Sequence, residues 1–444
     1  MNKLLGRIDG TSVAIFRIGF GLLLLWELFY FLRIDFVKVF LVDPKIQFTY
    51  QYLSFLKPLP KPLLDILIFV LIACCVLIIL GRFYKKAMIV FCLGFTYFFL
   101  LDKAYYNNHL YLICLILFLM ILIPADSRLS FSKKGAQEKK PTYYYHILIL
   151  RLQLVIVYFF GGIAKLNMDW LVSQEPVRTM LGAKGAKSFL GDLLTNEVAV
   201  YFFTYGGLAF DLIIPFLLLI PRTRIFAVFC ALIFNMMNAW LFEDINIFPY
   251  FMMLSLILFL DTEKVGRFVR KKLFGKKSAA HFSSEKGVLA KPLFVFLGIF
   301  FLIQLLVPFR HLMYKGNVDW TGQGQRFAWR MKIQHRQLEH MEFKVWDLKT
   351  KTIYPVEFGV YGLNQDQINV IAYDPSAVVQ FAKFLKKHCK ENKGMDEVYV
   401  KSKLIVSFNG RPAQPIFGED VDLASIGDSP SQLLKYIKPL VKNN

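Results

Sequence analysis

The run Tyr158-Phe-Phe-Gly-Gly-Ile-Ala-Lys165-Leu-Asn-Met-Asp169-Trp170 closes a long apolar stretch with an ammonium group and follows it with an amphipathic indole. It reads as the end of a membrane-spanning helix. Two glycines permit close helix approach, and the tryptophan suits the headgroup boundary. An ionisable residue at that depth is costly, which makes Lys165 a functional-site candidate by default. The competing reading is a lysine that snorkels to the headgroup level.

Outward from this run the same pattern recurs. Of the 444 residues 56% are hydrophobic and 45 are phenylalanine, too apolar for a soluble domain. Stretches that approach bilayer length are Val13–Leu32, Leu64–Leu80, Ala87–Leu101, Leu110–Ile123, His146–Ala164, Val198–Ile220, Ile225–Phe242, Ile247–Leu260 and Leu293–Val307. The expected fold is a polytopic α-helical membrane protein of about eight or nine transmembrane helices. A C-terminal α+β extramembrane domain follows, with residues 1–310 in the membrane part and 311–444 outside. Residues 1–32 read as a retained first span rather than a cleaved leader, because no small-residue cleavage site follows.

Basic residues concentrate in alternate connections, at Arg82/Lys85/Lys86, Arg128/Lys133/Lys134/Lys139/Lys140, Arg222/Arg224 and Lys264–Lys291. The intervening connections hold roughly half as many, and the turn Glu243–Asp244 has none. The positive-inside rule then predicts a cytoplasmic N-terminus and an exterior C-terminal domain. Between a bacterial inner membrane and an endoplasmic-reticulum membrane, the compact chain and the lack of an Asn-x-Ser/Thr sequon in its outer domain favour the bacterial one. The net charge of +21 reflects topology and attraction to anionic lipid, so no nucleic-acid partner is expected. Five of the six cysteines lie inside spans, with no disulfide framework and no metal-ligand spacing.

After residue 308 short β-branched and aromatic runs (Met341–Asp347, Thr352–Phe358, Glu397–Phe408) predict strands. Pro375–Cys389 and Pro430–Lys442 predict helices, the first with one apolar face. On the predicted exterior side lie Asp102, Lys103, Asn108 and His109 in the third-to-fourth turn. Lys165, Asp169, Trp170, Asn238, Trp240 and Glu27 lie on the same side. Each alone has a capping or packing explanation, and only their convergence suggests a site. Arg17, Arg151 and Asp211 lie deeper or nearer the inner side, and a structural pairing of Asp211 with Arg17 or Arg151 is expected.

The runs Leu101-Asp-Lys-Ala-Tyr-Tyr-Asn-Asn-His109-Leu-Tyr-Leu112 and Gly161-Gly-Ile-Ala-Lys165-Leu-Asn-Met-Asp-Trp170 resemble those of the vitamin K-dependent gamma-glutamyl carboxylases. Met237-Asn238 with Leu241-Phe242, and Trp329-Arg-Met, are similar too. These enzymes belong to the wider family with the horizontally transferred transmembrane (HTTM) domain, and the similarity covers almost the whole chain. The resemblance implies a coupled oxygenation and carboxylation. A lysine matching Lys165 deprotonates vitamin K hydroquinone, which reacts with O2 to form a strong base. That base takes a γ-proton from a glutamate in a protein or peptide substrate, the carbanion adds CO2, and the vitamin leaves as its epoxide. Asp102, Lys103, Asn108, His109, Trp170, Asn238 and Tyr354 are the candidate cofactor- and substrate-binding residues, and no metal is implied.

A lysine can act as a base only as a free amine, which burial against Phe159 and Phe160 would favour. Lys103 nearby would act the same way, while Glu27 or Asp169 would oppose it. A membrane location suits this chemistry, since membrane lipid admits the isoprenoid tail sideways and a dry site protects the base. Two departures stand out. Where the animal enzymes carry histidines, this chain has Ser127 after the fourth span and Asn235 in the seventh. His335, Arg336, His340 and Tyr354 fall near the family's peptide-glutamate region, with a plain surface reading equally open. Three functional readings remain: a full carboxylase, a vitamin K epoxidase without glutamate carboxylation, and a non-enzymatic quinone or lipid binder.

Overall fold

The computed structural model describes residues 4–131, 140–188, 191–242, 246–275 and 290–441. Lys133, Lys134, Lys139, the turn Glu243–Asp244 and much of Lys264–Lys291 lie outside these. Nine apolar helices occur among the described residues. They are α1 (Thr11–Arg33), α2 (Lys61–Leu80), α3 (Tyr84–Leu101), α4 (Asn108–Ile121) and α5 (Tyr144–Ala164), then, after the short α6 (Met168–Leu171), α7 (Val177–Gly185) and α8 (Gly191–Thr195), α9 (Glu197–Leu219), α10 (Arg224–Leu241) and α11 (Phe248–Ser255). A surface helix α12 (Thr262–Phe274) precedes the last of them, α13 (Lys291–Leu306). Seven are long and apolar enough to cross a membrane, whereas α4 and α11 are shorter. The chain is thus a multi-pass α-helical membrane protein with an α+β domain at its C-terminal end.

α5 sits at the centre of the bundle, with most of its length buried. Its glycines explain how. A Cβ at Gly162 would lie 2.7 Å from a Leu212 methyl and 3.2 Å from the Leu212 amide nitrogen, so only glycine lets α9 pack this closely. At one face of the bundle the N-terminus, the α4–α5 connection and α12 meet. Ile8 N–H donates to Thr142 O (2.9 Å), and Arg270 of α12 pairs with the buried Asp9. Ser127 lies on this face too, hydrogen-bonded to Thr142 Oγ1 at 3.0 Å.

The opposite face carries the C-terminal domain. After α14 (Val318–Thr321) come β1 (Arg336–Asp347), β2 (Thr352–Pro355), α15 (Gln365–Tyr373), α16 (Pro375–Lys393), β3 (Val398–Phe408), β4 (Gln414–Pro415) and α17 (Pro430–Leu433). The strands form one antiparallel sheet in the order β2-β1-β3-β4, with α16 packed on it through Phe381 and Leu385. The predicted strand at Thr352–Phe358 stops at Pro355. The predicted helix Pro430–Lys442 is corrected to a single turn, because the chain beyond it is bound elsewhere. Lys438 N–H donates to Ile416 O at 2.8 Å, and Trp320 Nε1–H donates to Lys438 O at 2.8 Å. The core of this domain includes Ile46 and Phe48 from the α1–α2 connection.

Two polar junctions fasten the domain to the bundle. In the first, Asp102 accepts a hydrogen bond from Gln367 Nε2 (2.9 Å), and Lys103 pairs with Asp374 (3.2 Å), which also binds Arg326 (2.7 Å). Burial would raise the Asp374 carboxyl, but Lys103, Arg326 and Ser376 outweigh it and hold it below the usual range. Burial pushes Asp102 up to about 6. In the second junction Asp169 takes a two-pronged grip from Arg411 (2.5 and 2.9 Å) and a third bond from Asn409 Nδ2 at 2.9 Å. Because Asp169 is buried, Arg411→Ala strands its charge. It should cost about 3 kcal/mol or more. Limited proteolysis should then cut between α13 and β1 faster than in the wild type.

Candidate functional site

At the domain-bearing end of the bundle, α4, α5, α9, α10 and the segment leading into β1 enclose a cavity of about 640 Å³. That size is typical of a small-molecule site. Of the residues singled out in the sequence, Lys165, Asn108, His109, Trp170 and Asn238 line it together. Asp102 and Lys103 do not, being the docking residues just described. Tyr354 is also apart, on the short strand β2 with Lys393 Nζ 5.9 Å from its ring. His335, Arg336 and His340 form no site with it. Arg336 is buried between the Trp320 and Phe408 rings and donates to the Asp319 and Trp320 carbonyls at 2.5 and 2.7 Å.

Lys165 is the residue that terminates α5. Its chain turns out of the helix there, and Asn167 caps α6 by accepting from Trp170 N–H at 3.0 Å. That turn sends three side chains in three directions. Lys165 points into the cavity, 9% exposed; Asp169 turns to Arg411; Trp170 packs beside the lysine, its ring centroid 5.2 Å from Nζ. Trp170 Nε1–H donates to Thr204 O of α9 (3.0 Å), which fixes the indole as a wall.

The ion-pair expectation for Asp211 requires correction. Its carboxylate, on α9, hydrogen-bonds directly to Lys165 Nζ. Arg17 and Arg151 lie too far toward the other face, and each donates to backbone instead, at Leu129 O (2.5 Å) and Leu258 O (2.7 Å). The neighbours weighed for Lys165 are also elsewhere: Lys103 binds Asp374, Asp169 binds Arg411, and Glu27 lines a separate cavity. Gly161 lies against this arrangement. A Cβ there would sit 3.5 Å from the Asp211 carboxylate and 3.3 Å from Met331 Cε.

Several lining residues carried no binding role in the sequence reading. Tyr158 accepts from Asn235 Nδ2 at 3.2 Å, so the asparagine at the departed histidine position faces the cavity from α10. Arg330, Met331 and Lys332 reach it from the segment that leads into β1, the part of the chain that begins with Trp329-Arg-Met. Arg330 is held by Asp319 through two bonds (2.6 and 2.8 Å), and Trp329 stacks on Tyr111 with centroids 4.8 Å apart. Phe327, Trp329 and Lys332 have φ of +59°, +56° and +53°, a left-handed backbone that costs roughly 1 kcal/mol or more at each non-glycine residue. No local sequence signal marks that bend.

The rest of the wall is mostly apolar and includes Phe202, Phe203, Phe210 and Phe234. Cβ atoms at Gly206 or Gly207 would meet nothing within 4 Å. Among the described residues no cluster of three His, Cys, Asp or Glu could hold a metal ion.

Comparison with known families agrees with this architecture. The HTTM domain matches residues 6–263, and the vitamin K-dependent gamma-carboxylase lumenal domain matches residues 289–443. No solved structure gives a significant match. The chain belongs to the HTTM-domain family, in the company of the vitamin K-dependent gamma-carboxylases.

Proposed function

We propose that the cavity takes the head group of a reduced quinone of the vitamin K class and that Lys165 accepts the proton of its hydroxyl. When bound, the hydroquinone together with O2 supplies a base strong enough to remove the γ-proton of a glutamyl side chain, whose carbanion adds CO2. The observation that carries this reading is the meeting of one buried lysine, a largely apolar wall and an outer-domain segment in a single cavity. Asp211 holds the resting ammonium in position and takes up its proton when the quinol binds, an N–H bond breaking as an O–H bond forms, which leaves Lys165 the free amine that a base must be. Asn108, His109 and Asn238 offer hydrogen bonds to a polar ring edge. Arg330 to Lys332 stand where a peptide from the aqueous side would enter. Exclusion of water by the aromatic side chains protects a reactive base from quenching.

The test reconstitutes the full chain with reduced vitamin K, O2, labelled CO2 and a glutamyl peptide, and scores epoxide and fixed label separately. Both products together support the carboxylase reading; neither product overturns it. Epoxide without label selects the second reading, an oxygenase without glutamate carboxylation, which the asparagine at Asn235 favours. Gly207→Leu should fold at least as well as the wild type, since leucine is the better helix former. It should nevertheless raise the KM for the quinol by about tenfold by filling the cavity, roughly the worth of a lost apolar contact.

A further inference from the structure

A second cavity of about 150 Å³ adjoins the first, and Asn107 and His109 line both. Its deepest polar group is Glu27, near the domain-bearing end of α1. This carboxyl is 3% exposed and has neither a hydrogen bond nor an ion-pair partner among the described residues. A buried carboxyl left without a protein partner is costly, and a polar cavity of this size has room for a few waters to satisfy it. The cavity is also lined by Asp366, an exposed residue of the outer domain. It therefore runs from a buried membrane carboxyl to a solvent-facing one. The other titratable groups on its lining are Tyr30 of α1, Tyr105 and His109, and no lysine or arginine faces it among the described residues.

We propose that the Glu27 cavity is a water-filled proton outlet for the Lys165 site, with Glu27 as the relay between the His109 wall and the aqueous side at Asp366. This rests on Lys165 acting as a base, because each turnover then leaves a proton on the amine that must depart before the next. In the relay an N–H bond of the ammonium breaks as an O–H bond forms on a cavity water. That water's excess proton passes to the Glu27 carboxylate and from there to bulk water, with no change in oxidation state at any atom. Glu27 touches neither Lys165 nor the quinone cavity, so it serves as a relay and is not a catalytic residue.

Two measurements test it. The first uses the full-length protein in lipid nanodiscs with no quinone present. Infrared spectra taken across a pH titration should contain the C=O band of a buried carboxylic acid. Glu27→Gln should remove that band, and it should shift promptly in the wild type on transfer to D2O. A spectrum that Glu27→Gln leaves unaltered, or a band that resists deuteration until the protein unfolds, overturns the relay. The second measures quinol oxygenation. Glu27→Gln should lower kcat by about tenfold, less than the ~10²-fold of a lost catalytic acid or base, because cavity water can still carry the proton. The KM should stay within about twofold, and Glu27→Asp should recover most of the rate with a displaced pH profile. A Glu27→Gln enzyme with unchanged kcat and pH profile overturns the relay. Loss of folded yield in Glu27→Gln but not Glu27→Asp, with normal kcat in the latter and no displaced profile, also overturns it, as a packing role. If the wild type oxygenates no quinol, the Lys165 reading fails by itself, and the infrared arm still decides whether the carboxyl exchanges protons with water.

Discussion

Lys165→Ala should lower vitamin K epoxide formation by at least ~10²-fold, the range expected when a positioned base is lost. The protein should still be recovered as a folded, membrane-extracted species. The prediction follows from how singular this nitrogen is within its cavity. Of the other cationic side chains on the wall, Arg330 is committed to Asp319 and Lys332 lies over the Phe242 ring at 5.0 Å. Neither is aimed from the helix end that Asp211 faces. Lys165→Arg is the sharper variant. It preserves the charge and can retain the bond to Asp211, but a guanidinium does not give up its proton, so it should fail as a base equally well. Epoxide produced at the wild-type rate by either variant would remove Lys165 from the chemistry.

Asp211→Ala should have the largest effect on stability. It leaves the lysine ammonium buried without its carboxylate, a loss of about 3–5 kcal/mol for a pair of this kind. A clear drop in the thermal midpoint in detergent should register it, along with loss of quinol turnover. The paired replacement Lys165→Met with Asp211→Asn separates the two consequences. Removing both charges should restore most of the stability, because a neutral pair carries no charge-desolvation penalty. Activity should not return. If the double variant is as unstable as Asp211→Ala, the carboxylate supports the fold through contacts other than the lysine.

Much of the bundle was legible because bilayer-length apolar runs are a local signal. The nine stretches correspond to the nine apolar helices, with ends differing by a few residues. Lys165, Trp170, Asn108, His109 and Asn238 were legible as candidates because an isolated polar group in such a run needs explaining. What stayed hidden was non-local. Nothing near Asp211 in the sequence says that it faces a residue 46 positions earlier rather than an arginine. Asp102 and Lys103 looked like part of a reactive turn, yet their partners Gln367, Asp374 and Ser376 come from a domain far along the chain. The terminal helix was over-extended for a similar reason: periodicity past Pro430 competes with backbone pairing to Ile416 that no local pattern announces.

The placement of Ile46, Phe48 and Thr49 in the C-terminal domain has an outcome for how the molecule is made. Gln380 Nε2 bonds to Thr49 O across 331 positions, and Gln367 Nε2 bonds to Ile46 O across 321. The loop between the first two spans must therefore wait, its apolar side chains uncovered, while seven more helices enter the lipid. Its partners emerge only at the end of synthesis. Loop closure over such a separation is slow, and uncovered apolar groups invite aggregation in the interval. Assembly of the C-terminal domain is thus a late, post-insertion event, and a chain halted after α13 would display this loop as a hydrophobic patch with nothing to cover it.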